Sequence, residues 1–73
     1  MILEEVEKKI NRLKTYTDEK SLNTFNYYIG FRLGLTKTFS DKDIARFKNT
    51  VKYSEEDFAV QFHKGILKGI NSN

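Results

Sequence analysis

Apolar residues along this chain recur three and four positions apart, the spacing that places them on one side of an α-helix. In the first segment Leu3, Val6, Ile10 and Leu13 form a narrow stripe on an otherwise charged helix, predicted over 2–15. Glu4–Lys8 and Glu5–Lys9 stand four apart in the order that favours ion pairing, with acids leading and bases trailing as the helix dipole prefers. A second helix is predicted over 18–33, starting near Thr17 or Asp18. It carries two apolar faces, Leu22, Phe25, Ile29 and Leu33 on one side and Tyr27, Tyr28 and Phe31 opposite.

The third and fourth helices, predicted over 41–52 and 55–68, are announced by their caps. Ser40 precedes Asp41-Lys42-Asp43-Ile44, so its hydroxyl caps the helix, Asp43 holds the capping-box position and Phe39 is placed to staple onto Ile44. Ser54 repeats the device, with Asp57 as the acid, Tyr53 and Phe58 as the staple, and Glu55 and Glu56 on the positive end of the dipole. On helix 4 Phe58, Ala59, Phe62, Ile66, Leu67 and Ile70 cover more than half the circumference, leaving Asp57, Gln61, Lys64 and Lys68 as the wet strip. The fold expected is an all-α bundle of four short helices with helices 2 and 4 central, one domain over 1–70 and a short polar tail over 71–73. A competing strand reading exists over 31–39, where Phe31, Leu33, Leu35 and Phe39 alternate with Arg32, Gly34, Thr36 and Thr38. A second alternating run to pair with it is missing.

Composition sharpens this picture. The 73 residues include no cysteine and no proline. Helices therefore run without their strongest breaker, and neither a disulfide nor a thiolate metal site can staple the fold. A chain this short buries only about 60% of its unfolded surface, so its core is marginal unless a second chain contributes. The start MILEEVEKK has acids where a signal peptide carries bases, and no apolar run approaches a membrane span, so a cytoplasmic protein is expected. Phe, Tyr, Met, Ile, Asn and Lys far outnumber Gly, Ala, Arg and Pro, a bias of AT-rich coding that points to a low-GC bacterium, its phage or a plasmid.

All four glycines fall in two pairs at four-residue spacing, Gly30 with Gly34 and Gly65 with Gly69, in the matched segments YYIGFRLGL and FHKGILKGI. A glycine inside a helix costs about 1 kcal/mol relative to alanine. Gly34 and Gly69, each followed by an apolar residue, read as left-handed residues just past a helix end. Gly30 and Gly65 lie inside the helix, where capping explains nothing, and are assigned to close helix packing.

The net charge of +3 resides in the middle of the chain, and helix 3 spreads Lys42, Arg46, Lys48 and Lys52 over a wide arc, an arrangement able to meet phosphates. The preceding stretch YIGFRLGLT resembles the first half of a helix-turn-helix, with small Gly30, apolar Leu33, turn-type Gly34 and apolar Leu35. That resemblance covers about eight residues and implies a turn at Gly34 feeding a recognition helix, although Ser40 and Asp43 fall where the motif has buried aliphatics.

Enzyme chemistry is not expected. His63 is the only histidine, no thiol is available, and Ser21, Ser40 and Ser54 sit at capping or helix-start positions. The acids Asp41, Asp43, Glu55, Glu56 and Asp57 are accounted for by helix dipoles, so no metal or other cofactor is expected, nor a small-molecule substrate or a membrane. Helices 2 and 4 carry more apolar circumference than helices 1 and 3 can cover. The expected function is protein–protein interaction, with a homodimer or another protein as partner and Tyr27, Tyr28, Phe31, His63 and Leu67 at the interface. A phage or mobile-element regulator of a host protein is its more specific form. The alternative is a small DNA-binding regulator using the basic arc of helix 3.

Overall fold

The computed structural model describes residues 2–54 and 57–72 and contains four helices: α1 (Ile2–Leu13), α2 (Glu19–Thr36), α3 (Asp41–Tyr53) and α4 (Phe58–Asn71). Among the described residues there is no strand, and the alternating stretch after Phe31 continues α2 as far as Thr36 before a short linker.

Caps fix most of the boundaries. The Asp18 carboxylate accepts the Ser21 backbone N–H at 3.0 Å and opens α2; hydrogen bonding from the Ser21 side chain and then its backbone holds the carboxyl below the usual carboxylate range. Ser40 Oγ accepts the Asp43 N–H at 3.2 Å and opens α3 as expected, while the Asp43 carboxylate turns outward to Arg46 at 3.2 Å. Phe39 packs edge-on against Phe47, with ring centroids 5.3 Å apart.

The start of α4 differs from the expectation. Ser54 closes α3, its N–H donating to Thr50 O at 3.0 Å, and Asp57 caps α4 by accepting the Val60 N–H at 2.9 Å. Aspartate caps as well as serine does, so the later site competes on equal terms and wins. Tyr53 is 73% exposed and Phe58 46%, so neither is covered as a staple would be. Glu55 and Glu56 lie outside the described residues.

Gly34 and Gly69 are not caps. Both lie inside helices, no glycine has a positive φ, and the terminating residues are Lys37 and Ser72. The helices run three residues beyond the expected ends because all four glycines sit where α2 and α4 cross. A Cβ on Gly30 would collide with the Phe62 carbonyl oxygen, on Gly65 with that of Tyr27, on Gly34 with that of Ile66, and on Gly69 with that of Phe31. Only glycine permits this backbone-to-backbone approach, in which Cα hydrogens face carbonyl oxygens.

The same contacts fix the topology. Gly30 lies against Phe62 and Ile66 while Gly34 lies against Ile66 and Gly69, so α2 and α4 run parallel. They are also reciprocal: Gly30 meets the carbonyl of Phe62 and the nitrogen of Ile66, and Gly65 meets the carbonyl of Tyr27 and the nitrogen of Phe31. Shifting one set by the distance from residue 30 to 65 generates the other. Helices α2 and α4 are thus related by a local two-fold axis along their seam.

Beyond the seam, α1 packs only on α2 and α3 only on α4. The bundle is consequently a single layer in the order α1, α2, α4, α3, measuring 34 × 30 × 12 Å. Its most buried side chains, Val60 and Ile66 at 1% exposure, lie on α4; Val6, Ile10, Phe31 and Phe47 complete the buried apolar set. Because α2 and α3 do not touch, the helix-turn-helix arrangement implied by YIGFRLGLT is not formed: Gly34 is helical, and α3 lies at the far edge of the layer.

Candidate protein-interaction face

A one-layer fold has two broad faces and no second layer to cover either. Its radius of gyration is 12.0 Å, against about 11 Å for a compact chain of this length. Its accessible surface is 5275 Å², against about 4,700 Å² for a compact monomer of 8.6 kDa. The half-exposed side chains on α2 and α4 are those that a second layer would bury.

The expected interface residues divide into two aromatic clusters, one per hairpin. On α2 Tyr27, Tyr28 and Phe31 come together: Tyr27 stands edge-on to Tyr28 at 5.3 Å and to Phe31 at 6.1 Å, and Tyr28 stacks on Phe31 at 6.3 Å. Phe31 is only 8% exposed and belongs to the core with Val6 and Ile10. Burial, and secondarily the neighbouring Tyr28, raises the Tyr27 phenol above its ordinary value.

His63 lies in the other hairpin, stacked on Phe47 with centroids 5.0 Å apart and beside Phe62 at 5.8 Å. Its Nδ1 is buried without a hydrogen-bond partner. Burial lowers its pKa, and the nearby Arg46 guanidinium lowers it further, against the opposing pull of Asp57. His63 therefore contributes to α3–α4 packing within the chain. Leu67, on the same helix, is half-buried.

Tyr28 leads to a surface feature that no motif in the sequence announces. Its ring stands between α1 and α2 and lines two adjoining hollows, one of about 260 Å³ with Arg12, Leu13 and Tyr16, the other of about 170 Å³ with Ile2, Glu5 and Val6. Lys9 borders both, its Nζ 5.7 Å from the centre of the Tyr28 ring. The resulting groove follows α1 along Ile2, Glu5, Lys9, Arg12 and Tyr16, spaced three and four apart and immediately beside the core stripe. That spacing was the available signal. Ile2 and Tyr16 at its ends are 46% and 49% exposed.

The intrahelical pairs Glu4–Lys8 and Glu5–Lys9 expected on α1 are not formed; among the described residues the one ion pair is Arg46–Asp43. These side chains are exposed, where such a pair gains too little to immobilise two flexible groups.

On α3 Lys42, Arg46, Lys48 and Lys52 are all exposed, with Arg46 held by Asp43 and Lys52 over the Tyr53 ring at 5.3 Å. A shallow depression of about 520 Å³ at the start of the α2–α4 seam is lined by Glu19, Lys20, Asn23, Thr24 and Gln61. Among the described residues no three His, Cys, Asp or Glu side chains are gathered to hold a metal ion, and no helix is long and apolar enough to cross a membrane. No family model matches the chain, and no curated protein or solved structure is significantly similar to it.

Proposed function

We propose that this protein is a protein-interaction module that works as a homodimer, two layers meeting face to face. The supporting observation is the single layer of four helices, whose 34 × 30 Å face gives a footprint of about 1,000 Å². Stable interfaces bury about 800 Å² per partner, so one face suffices. In this reading the glycine seam sets the shape of the layer, and the aromatic side chains beside it anchor the contact. The dimer is then the form that regulates a further protein, in keeping with a short chain of AT-rich coding from a low-GC bacterium or its phage. Sedimentation equilibrium from 1 to 100 µM is the test. A mass near twice the 8.6 kDa of the chain is the expected result, and 8.6 kDa throughout that range contradicts the reading.

One observation favours a second reading, DNA binding through α3. As an edge helix touching only α4, α3 leaves Lys42, Arg46, Lys48 and Lys52 accessible together, and a dimer would present the set twice. Duplex titration at 50 and 200 mM salt tests it. Phosphate contacts make affinity fall steeply with salt, and replacing the four cations by glutamine should abolish binding; binding indifferent to both removes the reading.

A further inference from the structure

We infer that the second copy docks antiparallel along α1, seated in the groove beside Tyr28, with Glu5 of each chain opposite Arg12 of the other. The inference rests on the homodimer proposed above and specifies its face and register.

Three observations carry it. The first is position: α1 is an edge helix whose Val6 and Ile10 are spent on α2, so its outward side has no neighbouring helix. The second is shape. The two hollows adjoin at Lys9 and Tyr28, which line both, with the exposed Ile2 in one and Tyr16 in the other.

The third is charge. Glu4, Glu5 and Glu7 occupy the first half of α1, and Lys8, Lys9, Arg12 and Lys14 occupy the second half and its exit. None of these seven takes part in an ion pair among the described residues. A helix divided in this way complements itself only when reversed. Of the seven, Glu5, Lys9 and Arg12 line the hollows: parallel pairing sets Glu5 against Glu5 and Arg12 against Arg12, whereas a two-fold axis across α1 midway between them sets Glu5 of each chain against Arg12 of the other. Such an interface is isologous, so every favourable pair occurs twice. Glu5 and Arg12 both line the groove, and seven residues of helix separate the two Glu5–Arg12 pairs by about 10 Å. The same reversal brings Ile2 of one chain to the Leu13–Tyr16 end of the other, covering the exposed apolar ends. Lys9, near the axis, remains over the Tyr28 ring.

Charge reversal supplies a test in which one variant rescues the other. Sedimentation velocity is run on the wild type, Glu5→Lys, Arg12→Glu and an equimolar mixture of the two variants, with circular dichroism to establish that each is helical. Each variant alone sets two like-charge pairs against each other and should dimerise at least roughly tenfold more weakly. In the mixture every pair is opposite in sign, so heterodimers should form with near wild-type affinity. A wild-type dimer indifferent to both reversals overturns this docking mode and leaves the homodimer standing. Weakened variants that fail to rescue each other overturn the antiparallel register. A monomeric wild type overturns the homodimer itself.

Discussion

The seam between α2 and α4 and the contacts that attach the outer helices are built on opposite principles. At the seam four glycines bring backbone against backbone, so the contact is defined by side chains that are absent. At the edges Val6 and Ile10 hold α1 to α2, and Phe47 joins α3 to His63 of α4, so those contacts are defined by side chains that are present. The seam should therefore fail when volume is added and the edges when it is removed. Because each outer helix has a single neighbour, damage at an edge should stay local, whereas damage at the seam should separate the two hairpins.

The largest effect is expected from Gly65→Ala. In an open helix this change stabilises by about 1 kcal/mol. Here the new methyl collides with the Tyr27 carbonyl and presses on the Phe31 nitrogen, so a net loss of about 3 kcal/mol is expected, read as a lowered denaturant midpoint. Gly30→Ala should behave alike because the local two-fold makes the sites equivalent. Stabilisation by either substitution would break the comparison.

Next comes Val6→Ala, which opens a void under α1 and should cost about 2 kcal/mol. Amide exchange sharpens the point: protection should fall in α1 and persist along α2 and α4, and uniform loss of protection would mean that the layer unfolds as one unit.

Removing the cap that opens α4, Asp57→Ala, should cost about 1 kcal/mol. Ser54→Ala should cost less, since the Ser54 contact that closes α3 is made by its backbone N–H. The reverse order in urea titrations would restore Ser54 as the helix start.

The smallest effect is a pH dependence at the α3–α4 edge. His63 has a folded pKa below its unfolded value, so the unfolded chain takes up the proton first. Stability should be level above about pH 6.5 and fall as pH drops through the depressed folded value. Protonation would charge a partly desolvated ring near the Arg46 guanidinium, against the opposing pull of Asp57. His63→Gln should flatten that part of the stability–pH curve; an unchanged slope would assign it to other groups.

How far the fold was legible follows the same division. Ser40 is legible because its cap is local, and the broad apolar circumference of helices 2 and 4 places them at the centre. Local signals misled where tertiary contact decides. Gly34 and Gly69 satisfy a capping pattern, yet the final helical turns persist because the crossing helix lies against them. Ser54 and Asp57 are comparable caps, and sequence alone does not rank them. The apolar surroundings of His63 are legible on its own helix, whereas its stacking partner Phe47 is remote in sequence. The α1 groove is half legible: its three-and-four spacing and divided charge are features of the sequence, but which flank of the stripe borders a hollow depends on where Tyr28 stands.

The central claim is that a second copy completes this single layer, and thermal unfolding at two concentrations tests it directly. If folding is coupled to dimerisation, the melting temperature must rise with concentration by mass action, by several degrees between 5 and 500 µM. A melting temperature that does not change over that range would contradict the claim.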